Sequence, residues 1–96
     1  NFYDYKKMIF QIYNLINFEI HKDMMMFDSV KFLNLDQEIQ AKFIEITYKF
    51  FNPKKPFLRY QKVINTLDII YKTVNLSINL ANMKIKRNND LIYFFA

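Results

Sequence analysis

Cysteine, glycine and tryptophan are all absent from the 96 residues, and proline occurs twice. Without cysteine there is no disulfide scaffold, no thiolate zinc site and no thiol nucleophile. Without glycine there is no phosphate-cradling loop of the P-loop or dinucleotide type, because such loops need a residue with no Cβ where the backbone approaches the ligand. Long apolar runs are missing too. The longest uncharged stretches, 8–18 and 73–83, are 11 residues each, against the roughly 18–20 apolar residues that a bilayer helix requires. A soluble or peripherally attached chain is expected. Lys6 and Lys7 stand among Asp4 and Glu19 with no small-residue cleavage site, so neither a signal peptide nor a transit peptide is expected.

What is present is skewed. Ile (13), Lys (12), Asn (11) and Phe (11) dominate, and Lys outnumbers Arg 12 to 2. Residues with A/T-rich codons have displaced those with G/C-rich codons, which points to an A/T-biased genome, that of a protist organelle, a malaria-type nucleus, a low-GC bacterium or a large DNA virus, and hence to a mitochondrial or another intracellular, reducing or viral setting. In this respect the whole chain resembles the mitochondrially encoded subunits of ciliate respiratory complexes and mitoribosomes, which are similarly rich in Phe, Tyr, Asn, Lys and Ile. The resemblance is one of composition, and it implies a mitochondrial location within a large assembly.

Apolar spacing predicts helices almost throughout, and hence an all-α fold: one domain over 1–96, a small bundle of three long helices with a short extra helix and an apolar C-terminal tail. Tyr5, Ile9, Ile12, Ile16 and Ile20 share one helix face and predict a first helix over about 3–21. Asp23 is placed to cap a short turn through Met24, Met25, Met26 and Phe27. Asn34 and Gln37 have capping-box spacing, and Ile39, Phe43, Ile46 and Phe50 form the stripe of a second helix over 36–51. Asn52 and Pro53 end it and open a linker over 52–56. Tyr60, Val63, Leu67, Ile70, Val74, Ile78, Ala81 and Ile85 keep helical spacing and predict a third helix over 57–86, about 45 Å long. Asn88, Asn89 and Asp90 are a turn signal before the tail, 88–96.

Each predicted helix carries a second apolar face: Tyr3, Phe10 and Phe18 on the first, Ile44, Tyr48 and Phe51 on the second, Ile69, Leu76, Leu80 and Met83 on the third. A small bundle hides one face per helix, so the surplus is expected at interfaces with other protein subunits. Phe10, Phe18, Tyr48 and Phe51 are the expected anchors. The run Leu91, Ile92, Tyr93, Phe94 and Phe95 is expected to enter a groove or add a strand on a neighbour. The function that follows is a non-catalytic accessory subunit of a multiprotein complex, with a mitochondrial respiratory complex as the setting and peripheral attachment to its membrane subunits.

Basic residues support an alternative. Lys54, Lys55, Arg59 and Lys62 interleave with Phe57 and Tyr60, a pattern suited to phosphates and bases, or to anionic lipid and acidic subunits. The alternative function is therefore a nucleic-acid-associated module, either a mitoribosomal protein or a transcription-factor-like helical domain. The second half, with Leu35, Ile39, Phe43 and Ile46 followed by Val63, Leu67, Ile70 and Val74, is similar to one cyclin-box repeat, though Phe and Ile stand where that repeat has small residues. Catalytic chemistry finds little material. His21 is the one histidine, and Glu19 and Asp23, each two residues away, point to other sides of a helix, so no metal or other cofactor is expected. Glu38 and Glu45 read as solvated helix charges.

Overall fold

Alternation rather than helical spacing governs the C-terminal third: buried and exposed side chains succeed one another along Met83–Asn88, and buried and half-buried ones along Leu91–Phe95. That period of two is the mark of a strand with one covered face. A computed structural model describes residues 19–96, with Ile20 described by its backbone alone. The elements in chain order are β1 (Glu19–His21), β2 (Met24–Asp28), α1 (Ser29–Leu33), α2 (Gln37–Phe51), α3 (Tyr60–Lys72), β3 (Asn75–Leu80), β4 (Met83–Asn88) and β5 (Leu91–Phe95). The strands form one antiparallel sheet in the order β1-β2-β5-β4-β3, four longer strands and a short one at the edge.

The expected all-α bundle is therefore wrong; the fold is mixed α/β. The third helix, expected over 57–86, ends at Lys72, and the rest of that span is β3 and most of β4. Its stripe of Val74, Ile78 and Ile85 coincides by chance with a strand pattern in which Leu76, Ile78 and Leu80 share one face. Met24, Met25, Met26 and Phe27 lie in β2 rather than a helical turn, and the short helix follows them, capped by Asp28 and not Asp23: the Lys31 amide donates to Asp28 Oδ1 at 2.9 Å. Asn34 closes α1 instead of opening α2, whose N-cap is Asp36. Asn52 does end α2, with φ −133° and not in the left-handed region. The tail expected over 88–96 is largely β5, seated between β2 and β4. Of the first predicted helix, residues 3–18 lie outside the described residues, and Glu19–His21 is a strand.

The helices cover one face of the sheet. Phe27 of β2 is the centre of an aromatic cluster, its ring centroid 5.0 Å from Phe32 of α1, 5.2 Å from Phe43 of α2 and 5.1 Å from Phe94 of β5. Tilted and edge-on rings at this spacing add to the burial of their area. Ile44, Tyr48, Val63, Leu67, Ile70, Ile85 and Ile92 complete the core around them.

Polar groups pin the layers together. The Asn89 carbonyl, in the turn between β4 and β5, accepts from Ser29 Oγ at 2.8 Å and from Arg87 Nε at 3.1 Å. Arg87 is buried on the covered face of β4, and its Nη1 donates to the Ile70 carbonyl at 2.6 Å. That oxygen is one of the carbonyls a helix C-terminus leaves without a partner, and a cation there also suits the helix dipole. Gln40 plays a similar part for α1, its Nε2 donating to the carbonyls of Phe32 at 2.9 Å and Leu35 at 3.0 Å. Among the described residues Thr47 is the exception: its hydroxyl is buried in α2 with no hydrogen-bond partner there.

The hairpins turn without glycine. Lys22, Ala81 and Asn89 occupy the first position of three two-residue turns at φ 35°, 53° and 51°. Asparagine tolerates that region, whereas alanine is strained there by about 1 kcal/mol.

Three stability outcomes are expected, each measured by urea unfolding. Arg87→Met should cost about 2–3 kcal/mol by stranding the Ile70 and Asn89 carbonyls, and Arg87→Lys should recover only part of it because one ammonium cannot reach both. Thr47→Val should stabilise by about 1 kcal/mol by deleting an unpaired buried hydroxyl. Ala81→Gly should stabilise by about 0.5 kcal/mol, the relief of strain less the added freedom of the unfolded chain.

Candidate functional site

Strand register, which decides what shares a face, assembles two rows of side chains on the side of the sheet away from the described helices. One row runs His21, Met24, Phe95, Lys84, Asn79, and the next runs Glu19, Met26, Tyr93, Lys86, Ser77. Directly opposed residues in an antiparallel pair lie about 4.5–5.5 Å apart, so each row is a continuous surface. In its middle the Tyr93 and Phe95 rings are stacked, 6.1 Å between centroids and 19° between planes. Lys86 places its ammonium 5.7 Å from the Phe95 centroid, a cation–π contact that holds charge beside the ring face. Lys84 and Lys86 are exposed and make no ion pair among the described residues.

Charge is graded across this surface. The β4 side carries Lys84 and Lys86, the β1 side carries Glu19, and the methionines and rings lie between. The β3 side adds the neutral donors and acceptors of Ser77 and Asn79. Flat rings, nearby ammonium groups and amides are the equipment for stacking a planar base and neutralising its phosphate.

The sequence-predicted basic residues form a second surface. Lys54, Lys55, Arg59 and Lys62 are all exposed, as are Phe57 at 69% and Tyr60 at 54%. Lys49, which no sequence pattern marks, organises the segment: its Nζ donates to the carbonyls of Pro53 at 3.2 Å and Lys55 at 2.6 Å and stands 4.9 Å from the Phe57 centroid. Arg59 is the N-cap of α3, and that helix has no acidic residue in its first turn. Arg59 and Lys62 thus raise the positive potential of the helix end instead of cancelling it.

The expected protein anchors fare otherwise. Tyr48 is only 3% exposed, and Ile92 and Phe94 are fully buried, so all three belong to the core and offer nothing to a partner. Leu91, Tyr93 and Phe95 point to the opposite face and are half-buried there, and Phe51 is half-buried against an exposed Phe50, 5.6 Å between ring centroids. Phe10 and Phe18 lie outside the described residues. The surplus apolar face of the predicted third helix is divided: Leu80 and Met83 are buried, Leu76 is half-buried and Ile69 is exposed.

No catalytic constellation accompanies these surfaces among the described residues. No group of three or more His, Asp or Glu side chains there is placed to hold a metal. His21 Nε2 does lie 3.4 Å from Glu19 Oε2, a meeting that helical spacing denied and that a strand, with residues two apart on one face, produces. A cleft of about 440 Å³ between the α1–α2 connection and α3 is lined by Leu35, Gln40, Ile64, Leu67, Asp68 and Tyr71 among others, and Asp68, its carboxylate, is exposed and paired with Lys72 at 3.1 Å. No described helix is long and apolar enough to cross a membrane. Comparison with protein-family models, with curated proteins and with solved structures gave no match, so the reading of these surfaces rests on their chemistry.

Proposed function

We propose that this chain is a non-catalytic nucleic-acid-associated module in which the sheet face left uncovered by the described residues receives a single-stranded segment. The observation that carries the reading is the stacked Tyr93 and Phe95 pair with Lys84 and Lys86 directly across from it on β4. Bases stack on the rings irrespective of sequence, the two ammonium groups follow the phosphates, and Ser77 and Asn79 border the path with hydrogen-bonding groups. The exposed cations Lys54, Lys55, Arg59 and Lys62 and the net charge of +5 add long-range attraction for a polyanion. A mitochondrial setting, a mitoribosome being one, is supported by composition alone.

An accessory-subunit role keeps one specific support, the exposed rings Phe50, Phe57 and Tyr60 around the α2–α3 connection. It has lost Tyr48, Ile92 and Phe94, which the protein uses for its own core.

Fluorescence anisotropy with a labelled oligouridine of about 12 nucleotides, titrated at several salt concentrations, separates the two roles. Affinity should fall steeply with salt, and Lys84→Glu with Lys86→Glu should flatten the slope by about 1.4, two phosphates at roughly 0.7 each. Phe95→Leu, which keeps the bulk and removes the ring, should weaken binding by tenfold or so, the worth of about 1–3 kcal/mol of stacking. Binding indifferent to all three substitutions, or none at low salt, overturns the proposal.

A further inference from the structure

The two edges of the sheet differ. β1 is a three-residue strand carrying Glu19 and His21, short and polar in the way that protects an edge from pairing. β3 is twice as long, and its sequence Asn75-Leu76-Ser77-Ile78-Asn79-Leu80 has no charge and no proline. Nothing among the described residues pairs with its outer side. In a two-residue hairpin the residues flanking the turn, here Leu80 and Met83, exchange both main-chain hydrogen bonds, and alternate residues repeat that exchange. The Asn89 amide donating to the Val74 carbonyl at 2.7 Å continues the same parity beyond the strand. The amides and carbonyls of Asn75, Ser77 and Asn79 are therefore the ones turned away from β4, and all three residues are exposed. On the covered face, Leu76 and Ile78 are only half-buried and Val74 is 54% exposed, because no further strand among the described residues closes that side.

We propose that β3 pairs antiparallel with β3 of a second copy of this chain, joining two sheets into one across a two-fold axis at Ser77. This goes beyond the nucleic-acid reading and does not depend on it. The strand is complementary to itself in that register. Ser77 lies opposite Ser77 of the second copy and Asn75 opposite its Asn79, which are the residues with outward main-chain groups. Leu76 lies opposite Ile78 and Val74 opposite Leu80, so each apolar side chain meets another on the covered face. No charged pair is brought together. A slip of one residue would set apolar side chains against amides. A shift of two, centred on Ile78, would call on Ala81, whose φ of 53° takes it out of the strand. An isologous contact of this kind closes on itself and leaves the short β1 edges outermost.

Sedimentation and cysteine crosslinking test it together. The full chain should shift with concentration from 11.8 kDa to twice that mass. Ser77→Lys, which sets two ammonium groups face to face on the axis, should keep the circular dichroism of the parent and sediment as a monomer at every concentration. Because the chain has no cysteine, Ser77→Cys reports register without background. Directly opposite hydrogen-bonded residues stand about 5.5 Å apart, within disulfide reach, so mild oxidation should give a reducible covalent dimer, while Ile78→Cys, off the axis, should give several-fold less. A parent chain that stays monomeric, a dimer untouched by Ser77→Lys, or equal crosslinking at both positions would overturn the proposal.

Discussion

A single carbonyl oxygen, that of Asn89, ties together parts of the molecule far apart in sequence. It takes one hydrogen bond from Ser29 at the start of α1 and another from Arg87, whose guanidinium also closes the end of α3. The Ser29 amide donates to the neighbouring Asp90 carbonyl at 2.8 Å, so the β4–β5 turn is fastened to the first helix from two directions. The aromatic cluster depends on that fastening. Phe27 and Phe32 flank Ser29 on β2 and α1, and Phe94 follows the turn on β5. A buried arginine is costly to desolvate, and here two carbonyls, that of Ile70 at a helix terminus and that of Asn89 in a turn, receive it in place of a carboxylate.

The glycine-free composition that excluded nucleotide loops also hid the sheet. Hairpins are usually announced by Asn-Gly or Asp-Gly, and this chain turns instead at Lys22-Asp23, Ala81-Asn82 and Asn89-Asp90. Only the last was legible as a turn. Ala81, read as part of a helical stripe, is a residue whose propensity favours helix and whose place in the fold is a left-handed turn. The Ile, Tyr and Phe of β5 favour a strand, whereas β3 and β4 are rich in Asn and Lys, which carry weak β preference, so periodicity had to decide there. Over Val74 to Ile85 it fits three to four residues as readily as two. The helix at Gln37–Phe51 was legible because it is long, helically periodic and stopped by Pro53, but its two apolar faces hid which one is core: Ile44 and Tyr48 are buried and Phe50 is exposed.

A sheet whose described helices lie on one side absorbs bulk differently from a helix bundle. Each strand commits alternate residues to the core, which gives Ile92 and Phe94 one destination and Tyr93 and Phe95 the other. The apolar surplus that a bundle would leave for neighbours is thereby divided between a packed interior and a stacked surface. The exposed cations at 54–62 could be found from sequence because Lys54 and Lys55 lie between two prolines and Arg59 and Lys62 at the start of a helix, where a charged side chain has nowhere to be buried. The surface around Tyr93 could not, because it is created by register: Lys84 and Met24 lie on either side of Phe95 only once three strands are aligned.

The position of β5 has a consequence for the order in which the protein can form. It is the middle strand of the sheet and also the latest of the five to leave the ribosome. Before it arrives, the β1–β2 hairpin and the β3–β4 hairpin have no common neighbour, and each shows an unpaired rim. The three helices between them can collapse early, but the closure that joins both hairpins spans most of the described chain, a contact of high sequence separation that slows folding. During that interval the methionine-rich β2 is open to mispairing, the kind of exposure that makes a slowly closing sheet prone to aggregate.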